Sequence, residues 1–455
     1  MHTRSGSRRF ASRRVLAAAA ATLAAVASLA ACSGGSGGSG GDAITIWTIT
    51  QPSSAQQVVM NLIDKFNKTY PGGGHVSIDW IGGEPYKQKI AVAMAGHKPP
   101  AIFLTYGGQL FEQYVKAGDV ADLTSALGSD PSWKAQYAAK NVFGLATFGD
   151  KIYGIPESGP DYELMWENKS VLDAAGAPSE PTTWEAFQQA ITAVQKSGKA
   201  PIALAGKDLW PEMIWLQYLT LRYGGTAPFD NIAALKANAW SDPAVVKAAG
   251  TVAQLAKSGA FAKGFNTVTF DGGQADQLLS SGQAAFQAQL YYDSANMRVY
   301  NPTFAGSADY VPFNFPSVPG GTGDPNQLVG QAAEYFGVSS HLSASQQKEA
   351  LAWLKFETTS DDYNLQFLAG RGYSPITPSA AQKLSSGQVP DGTLLKKLYD
   401  IGTSAPSFQP YWDQDLPSAV ITPMLTNIGE LFDQTMSPQQ FVSAMNSVMA
   451  QNGSR

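Results

Sequence analysis

The sequence predicts an α/β fold, because segments with the two-residue period of strands alternate with segments of helical period along most of its 455 residues. Two further observations agree with this class. No internal repeat divides the chain. Removal of a predicted leader over 1–31 would leave about 420 residues, which is enough for two or three domains with buried cores.

The amino-terminal elements illustrate the alternation. Residues 44–47 and 76–80 alternate apolar and polar side chains, as half-buried strands do. Residues 55–73 lie between them and carry apolar residues on one helical face. Residues 101–104 and 201–204 are continuous apolar runs, which predict buried strands. The pattern therefore predicts layers of helices and strands.

Two later helices carry start signals. In residues 181–198, Thr182 and Glu185 form a capping-box pattern ahead of an apolar stripe. In the last helix, Ser437 is expected to cap the first turn and Pro438 to lie within it. We assign the apolar faces of both helices to the core and not to function.

The amino terminus has the features of an export signal. Residues 1–14 carry five arginines and no acid, and residues 15–31 are apolar but rich in alanine, which suits a signal peptide better than a membrane span. The segment 29–32 ends at the only cysteine and resembles the lipobox of bacterial lipoproteins. That resemblance implies cleavage before Cys32, a diacylglyceryl group on its sulfur, and a Gly/Ser tether over 32–41. An ordinary signal peptide with an unrelated cysteine is the alternative, and Sec and twin-arginine export both stay open.

The charge balance disfavours two classes of partner. Loss of residues 1–31 removes five arginines and no acid, so the net charge falls from −5 to about −10. An acidic protein is a poor nucleic-acid binder, so we expect no nucleic-acid partner. Arginine is scarce in the rest of the chain, which disfavours a phosphate-bearing ligand.

No catalytic motif stands out in the sequence. The four histidines are scattered, and the chain lacks an HExxH pair, a GxSxG elbow, a Walker A loop and a GxGxxG loop. We therefore expect no enzyme, no metal and no cofactor. Acid pairs such as Asp413 and Asp415 do occur. Because the separation that a glycosidase needs is spatial, an acid-pair hydrolase stays an open alternative.

Aromatic residues stand beside acids and amides in four Gly- or Pro-flanked stretches. A sugar ring offers an apolar face to an aromatic ring and a rim of hydroxyls to carboxylates and amides. Loops carry function more often than helix faces do. The mixture therefore predicts a sugar site, with packing of each aromatic ring in a core as the alternative. The stretches are 106–109, 207–211, 290–293 and 411–414.

Along 42–450 the order of motifs resembles the extracellular solute-binding lipoproteins of bacterial ABC sugar importers. More narrowly, the chain is similar to the actinobacterial oligosaccharide-binding branch of family 1, which includes the maltose-binding proteins. The resemblance depends on the order of six motifs behind a lipobox, since each motif is weak alone. The motifs are ITIWT, YKQKIAVAMAGHKPPAIFLTYGGQLFEQYVKAG over 86–118, GDKIYGIPE over 149–157, PTTWEAF over 181–187, APIALAGKDLWP over 200–211 and PYWDQDLPSA over 410–419.

The resemblance implies a two-lobe α/β fold of the periplasmic-binding-protein type (type II), with the ligand in a cleft between the lobes. It places three crossings between the lobes near 155–160, 311–316 and 358–362. Hinge rotation closes the lobes over the ligand, and the membrane permease recognises the closed form. The expected segments are 42–157 plus 313–359 for lobe one and 158–312 plus 360–455 for lobe two.

The resemblance also implies the ligand-binding residues. Asp208 and Trp210 fall where the family commonly places a carboxylate and a stacking aromatic residue. Trp412 and Asp413 fall on its carboxy-terminal aromatic and acid pair, and glycines after the third strand let the sugar approach the backbone. For Glu334, an exposed strand residue is the alternative. The expected set is Glu84, Lys87, Gly107, Gly108, Gln109, Asp208, Trp210, Tyr292, Glu334, Tyr411, Trp412 and Asp413.

Three positions depart from the family pattern. Ala101 replaces a usual Asp, Glu167 begins a usual Tyr-Asn-Lys, and Tyr292 lies near a usual Trp. These departures do not threaten the fold, but they weaken any transfer of ligand identity from one relative. The Gly-Gly-Gln and Lys-Asp-Leu-Trp-Pro stretches favour plant-derived sugars such as xylobiose, cellobiose or raffinose-type oligosaccharides.

The resulting hypothesis is a monomeric, lipid-anchored receptor on the extracellular face of the cell membrane. It would deliver a di- or oligosaccharide to an ABC permease without a cofactor and without a reaction. Three alternatives stay open. They are a receptor for a non-sugar solute such as a glycerol phosphate or a polyamine, a lipid-anchored glycoside hydrolase, and a surface adhesin.

Overall fold

Two β-sheets covered by helices organise the chain in the computed structural model. The structure describes residues 43–137, 141–387 and 389–452, and Ala43–Arg455 forms one compact unit. The predicted signal peptide, the lipidated Cys32 and the tether lie outside the described residues. In chain order the strands are β1 Ile44–Ile49, β2 Val76–Ile81, β3 Ile102–Thr105, β4 Thr147–Phe148, β5 Lys151–Ile152, β6 Gly154–Pro156, β7 Asp161–Asn168, β8 Ala200–Ala203, β9 Ala284–Leu290, β10 Tyr310–Phe313, β11 Leu328–Gln331, β12 Tyr335–Val338 and β13 Phe408–Gln409.

The first sheet, which forms lobe one, has the strand order β2-β1-β3-β12-β6. β2 and β3 flank β1 in parallel, whereas β12 runs antiparallel to β3 and β6. The strands predicted within 44–47, 76–80 and 101–104 are confirmed as β1, β2 and β3. All four residues of β3 are buried, as a continuous apolar run in a covered sheet requires.

The second sheet, which forms lobe two, has the order β13-β11-β7-β9-β8, and β10 pairs with β7 beside this path. All eight residues of β7 are buried. One edge of β7 is shared by two short strands, since β11 pairs with Asp161 and Tyr162 while β10 pairs with residues 165–168. β4 and β5 form a separate small antiparallel pair.

Helices cover the sheets and bury their apolar faces. The helix predicted within 55–73 is confirmed and buries Val59, Leu62 and Phe66. Asp362–Leu368 is π-helical, a geometry that frequently occurs at functional sites. The α-helices are α1 Ser53–Thr69, α2 Gly83–Ala95, α3 Gly108–Lys116, α4 Thr124–Ser129, α5 Pro131–Lys134, α6 Lys169–Ala175, α7 Trp184–Lys196, α8 Trp210–Gly224, α9 Ala227–Ala233, α10 Pro243–Lys257, α11 Gln274–Ser280, α12 Asp293–Tyr300, α13 Pro302–Ala305, α14 Ala344–Thr358, α15 Pro378–Lys383, α16 Gly392–Ser404, α17 Trp412–Asp415, α18 Ser418–Phe432 and α19 Pro438–Asn452, with 3₁₀ turns at Gly144–Ala146, Gly206–Asp208, Ala239–Ser241, Phe265–Thr267, Ala369–Arg371 and Leu384–Ser386.

The two predicted helix starts have different outcomes. α7 is capped by Thr183, whose side chain accepts the Ala186 N–H, so the cap lies one residue after the expected Thr182. At α19 the prediction is confirmed by a reciprocal pair. The Ser437 N–H donates to Gln440 Oε1 at 2.9 Å, and the Gln440 N–H donates to Ser437 Oγ at 3.3 Å.

Each lobe has its own apolar core. Phe66, Phe103 and Trp353 belong to the core of lobe one. In lobe two, β7 separates two clusters, because Met165 packs on one face of the sheet and Trp166 on the other. A strand that is covered on both faces explains why β7 is buried throughout. No helix among the described residues is long and apolar enough to span a membrane.

The chain passes between the sheets at three segments, which we call the crossovers. The first lies between Pro156 of β6 and Asp161 of β7. The second lies between Gln331 of β11 and Tyr335 of β12, and not at the expected 311–316. The reason is that β10 and β11 both pair with β7, which keeps these strands in lobe two.

The third crossover also lies later than the expected 358–362. Tyr363 and Phe367 of the π-helical segment pack in the core of lobe one, whereas Leu365 and Ala369 pack in a cluster of lobe two. Ile376 still packs in the core of lobe one. The third crossover is therefore the segment 362–376, and lobe two resumes after it and not at 360.

Candidate functional site

A cavity lies between the two sheets, next to the crossovers. Lobe one lines it with the carboxyl ends of β1 and β3 and with the first turns of α2. Lobe two lines it with the turn before α8, the end of β9 and residues around α17. Open α/β sheets bind ligands beyond the carboxyl ends of their strands, so this cavity is the candidate site.

Eight of the expected residues line this cavity, four from segments before residue 220 and four from later ones. Glu334 is only 9% exposed and faces the cavity, so it is not a solvent-exposed strand residue. The eight are Glu84, Lys87, Asp208, Trp210, Tyr292, Glu334, Tyr411 and Asp413.

Gly107, Gly108 and Gln109, which follow β3, do not line the cavity, although they were expected to contact the sugar. Gly107 has φ +81° and lies against the Leu145 carbonyl. Gly108 has φ +67° and lies so close to Asp415 that a Cβ on Gly108 would be 2.8 Å from Asp415 Oδ1. The Gln109 side chain donates to the Ala233 carbonyl at 2.7 Å. Gly107, Gly108 and Gln109 therefore correct the expectation of a sugar contact: Gly107 packs against Leu145 within lobe one, Gly108 allows a close approach between the lobes, and Gln109 bonds lobe one to lobe two.

Trp412 also lies away from the cavity. Its side chain is 2% exposed and packs on Phe229 and Trp240, with ring centroids 5.0 and 5.1 Å apart. The neighbours Tyr411 and Asp413 do line the cavity, because successive residues at a helix start point in different directions. Trp412 is thus a core residue of lobe two, and its expected stacking role is corrected.

Charged residues of all three crossovers converge at the deep end of the cavity, which we call the floor. The first crossover supplies Glu157 and Asp161, the second supplies Glu334, and the third supplies Arg371. Glu163 of β7 completes the floor. All five are buried, although they line the cavity. A molecule bound at the floor would therefore contact every segment on which the lobes hinge.

Hydrogen bonds join the crossovers but leave several floor atoms unpaired. The Glu157 N–H donates to the Glu334 carbonyl at 2.7 Å, and the Tyr363 hydroxyl donates to Glu157 Oε1 at 3.0 Å. Six buried floor atoms lack a hydrogen-bond partner. They are Glu157 Oε2, Asp161 Oδ1, Glu163 Oε1 and Oε2, and Arg371 Nε and Nη1. Because buried polar atoms are nearly always bonded, these atoms indicate a missing partner.

The same burial shifts the floor carboxyls toward their neutral form. Burial and the nearby Glu157 carboxyl raise the pKa of Asp161 to about 7. Burial also raises the pKa of Glu163 and Glu334 well above the ordinary range of a glutamate, and Arg371 opposes the shift at Glu334 but not at Glu163. Four acids facing one guanidinium in a desolvated place cannot all be ionised at low cost.

Aromatic rings form the walls above the floor. Tyr292 and Tyr373 stack with their centroids 4.1 Å apart, and the Arg371 guanidinium lies 4.0 Å from the Tyr373 centroid. Elsewhere in the lining, Trp210 meets Phe270 edge to face at 5.0 Å. These rings add flat apolar surfaces to a cavity with a polar floor.

The mouth of the cavity has its own charged group, which we call the rim: Glu84, Lys87, Asp208 and Asp271. Lys87 Nζ lies 3.0 Å from Glu84 Oε1, and these side chains are 40% and 56% exposed. Asp208 accepts the Phe270 N–H at 2.7 Å. Although desolvation opposes it, the carboxylates of Asp413 and Glu84 raise the pKa of Lys87.

The whole cavity is strongly acidic. Its lining contains eight carboxyl side chains and only two cations, Lys87 and Arg371. An anionic solute would therefore meet repulsion from most of the surface. The eight are Glu84, Glu157, Asp161, Glu163, Asp208, Asp271, Glu334 and Asp413.

The sequence reasoning missed most of the floor. Glu157 ends the GDKIYGIPE motif, and Arg371 and Tyr373 lie in a Gly-Arg-Gly-Tyr stretch without helical or strand period. The loss of period at this glycine pair was the sequence signal for a special backbone position. In the structure Gly372 takes φ +83° and its backbone lies against the Tyr292 carbonyl. Tyr106, from the predicted stretch 106–109, does line the cavity, directly after β3.

Three solved structures show what the chain is similar to. One, from work on xylan utilization by the thermophilic bacterium Caldanaerobius polysaccharolyticus, is 25% identical with a TM-score of 0.78, over 89% of this chain and 99% of that chain. A chitin oligosaccharide binding protein is 23% identical with a TM-score of 0.78, over 91% and 100%. A Streptococcus pneumoniae solute-binding protein in complex with the blood group A-trisaccharide is 17% identical with a TM-score of 0.71, over 90% and 100%.

These likenesses confirm the predicted two-lobe α/β fold, because each covers about nine-tenths of this chain and nearly all of the other. No curated protein matches the chain. Residues 48–363, more than half of the chain, match the family described as bacterial extracellular solute-binding protein. The resemblance inferred from the motifs is thus confirmed: the chain belongs to the family of bacterial extracellular solute-binding proteins, the substrate receptors of ABC importers.

Proposed function

We propose that the chain is the receptor of a carbohydrate ABC importer, which captures a di- or oligosaccharide in the interlobe cavity and releases it unchanged. One observation carries the proposal: unpaired, buried polar atoms of the floor face a cavity with aromatic walls. A sugar presents hydroxyl donors and acceptors around an apolar ring face, so it supplies both kinds of partner at once. The same ligand class is supported by the similar structures, which come from work on xylan utilization, from a chitin oligosaccharide binding protein and from a complex with a trisaccharide.

Each wall has a proposed part in binding. Trp210 and the Tyr292–Tyr373 pair stack on sugar faces, and the rim carboxylates accept hydroxyls at the mouth. Closure of the lobes then brings Glu84 and Lys87 of lobe one onto a ligand held against Trp210 of lobe two. We assign ligand contacts to Glu84, Lys87, Tyr106, Asp208, Trp210, Tyr292, Glu334, Arg371, Tyr373, Tyr411 and Asp413.

A thermal-shift screen of the compact unit from residue 43 onward tests the proposal. The panel holds mono-, di- and trisaccharides, including xylobiose, cellobiose and raffinose. A sugar at 100 times its Kd stabilises the folded protein by about 2.7 kcal/mol. For a chain of this size we expect a rise in Tm of a few degrees.

Variants separate binding from nonspecific stabilisation. Trp210→Ala should abolish the shift, Trp210→Phe should restore part of it, and Asp413→Asn should weaken it. Asp400→Asn, at an exposed carboxylate of α16 that pairs with Lys396, is the matched control and should leave the shift intact. A flat screen, or release of product from a chromogenic glycoside, would contradict the proposed function.

We further propose that a lipid on Cys32 holds the monomeric receptor at the extracellular face of the membrane. The segments preceding Ala43 support this, since a basic and an apolar run end at the only cysteine, and a Gly/Ser tether follows. In the full chain, Cys32→Ser should move the protein from the membrane fraction to the medium. Equal membrane retention of both forms would count against the anchor.

A further inference from the structure

The floor has more carboxyl groups than its own cation can balance. Glu157, Asp161, Glu163 and Glu334 share the floor with one cation, Arg371. The other cation of the cavity is engaged at the mouth, where Lys87 pairs with Glu84 at 3.0 Å. Buried charges in proteins are paired or neutralised, so three floor carboxyls need either protons or an external cation.

The unpaired atoms of the floor need donors more than acceptors. Four carboxyl oxygens lack a donor, two of them on Glu163, whereas the unpaired donors of Arg371 are two nitrogens. A hydroxyl supplies one hydrogen to such a cluster. A protonated amino group supplies up to three hydrogens together with a positive charge, so it satisfies the floor more completely.

Aromatic faces adjoin the same place. Tyr292 and Tyr373 stack beside the floor at 4.1 Å, and Tyr373 already faces one cation, Arg371, at 4.0 Å. Tyr106 and Tyr411 line the cavity from the two lobes. Aromatic faces attract cations, and the attraction is stronger where water is excluded.

We propose that the floor binds a protonated amino group, so that the preferred ligand is an oligosaccharide with an amino-sugar unit. Its neutral counterpart binds less tightly, and a sugar with a carboxylate is rejected. This inference rests on the proposed function, because it specifies one substituent of the bound sugar. The amine occupies the space between Asp161, Glu163 and the face of Tyr373.

Proton release is the signature that separates this role from ordinary hydroxyl binding. Without ligand, burial holds the pKa of Asp161 at about 7, so the carboxyl carries a proton through most of the acidic range. An incoming cation lowers that pKa and displaces the proton. Affinity for the amine therefore rises as the pH increases from 5 to 7, whereas affinity for a neutral sugar changes little. The groups that interact electrostatically with Asp161 from the surrounding elements are Glu157, Tyr162, Glu163, Tyr291, Tyr292, Glu334, Tyr373 and Tyr411.

Isothermal titration with matched sugars tests the inference. The panel pairs neutral, amino and uronate forms of the same skeleton: glucose, glucosamine and glucuronate, then cellobiose, the chitosan disaccharide and cellobiouronate, with diacetylchitobiose as the acetylated control. We expect the best amino sugar to bind at least tenfold more tightly than its neutral partner, and uronates to give no detectable binding. Titrations in two buffers of different ionisation enthalpy should show proton release for amino sugars alone.

Variants and controls decide between the outcomes. Glu163→Gln and Asp161→Asn should bring the amino-to-neutral affinity ratio close to one, and the remote Asp400→Asn should leave that ratio unchanged. Equal affinity for amino and neutral forms, a neutral sugar that binds more tightly than every amino sugar, or stabilisation by Ca²⁺ in place of the amine would overturn the inference. Failure of all sugars, whatever their charge, would instead overturn the proposed function.

Discussion

The floor and the rim contain the same types of charged residue in opposite environments. At the rim, Lys87 and Glu84 are about half exposed and 3.0 Å apart, so water can replace either partner. At the floor, Arg371 is buried among four carboxyls, several of whose oxygens have no partner. The rim is nearly complete without a ligand, whereas the floor is not.

This difference teaches where the binding free energy of the cavity originates. An exposed ion pair contributes about 0–1 kcal/mol, because solvent screens it and two long side chains must be ordered. A buried, unsatisfied polar atom costs about 1–3 kcal/mol until a partner arrives. The floor is therefore the part of the cavity that gains most from a ligand. Because all three crossovers supply its residues, that gain is linked directly to the hinge.

The largest effect is expected for Arg371→Met. The substitution removes the only cation of the floor, whose charge lowers the pKa of Glu157 and Glu334, and leaving buried acids without a compensating charge costs up to about 3–5 kcal/mol. Urea unfolding of the ligand-free protein measures this loss, which should be greater at pH 8 than at pH 5, where the acids are protonated. The control is Arg298→Met, whose partly exposed pair with Asp391 spans 3.1 Å and should contribute about 1 kcal/mol or less. Equal losses in the two variants would remove the contrast between floor and surface.

The next effect is the pH dependence of stability. Asp161 has a pKa of about 7 in the folded protein, against an ordinary value of 3.8, so between these values the folded state binds more protons than the unfolded state. The free energy of unfolding of the ligand-free protein should therefore fall as the pH rises, by about 2 kcal/mol from pH 5 to 6.5 for this group alone. Asp161→Asn should flatten the curve over this interval. An unchanged slope in the variant would show that Asp161 is ionised without a ligand.

The same contrast explains how much of the fold was predictable. The strands β1, β2 and β3 and the helices α1 and α19 have local patterns that determine their class, and the motif order identified the family. The second crossing was misplaced because β10 and β11 are four-residue strands. Nothing within such a short segment specifies which sheet it joins, since pairing with β7 is a tertiary choice.

The site was predictable where single motifs carry it and not where tertiary structure assembles it. Asp208, Trp210 and Asp413 were found because each lies in a motif that also reaches the cavity. Glu334 and Arg371 lie far in sequence from the floor acids within 157–163, and the two groups meet only because the crossovers converge. Conversely, Trp412 lies in a matching motif but packs in the core, because sequence alone does not give the direction of a side chain at a helix start.

A smaller effect is expected at the contact between α3 and lobe two. Gln109→Ala removes the bond to the Ala233 carbonyl, which joins the lobes outside the cavity lining. Loss of one such hydrogen bond costs about 1 kcal/mol, which corresponds to a fivefold loss of affinity. Stopped-flow measurements with the best sugar of the screen should place this loss in the dissociation rate, because the bond exists only while the lobes are together. Gln113→Ala, on the exposed side of the same helix, is the matched control, and equal rates in the two variants would argue against a closing contact.

The smallest effect is expected at the rim. Lys87→Ala removes a half-exposed cation whose partner Glu84 is then free to bind water, so the free energy of unfolding should change by less than about 1 kcal/mol. The affinity for a neutral sugar should fall by no more than a few fold. The affinity for an amino sugar should rise slightly, because the cavity becomes more negative by one charge. A loss as large as that of Arg371→Met, measured by the same urea unfolding and titration, would mean that the rim and not the floor supplies the main electrostatic contact with the ligand.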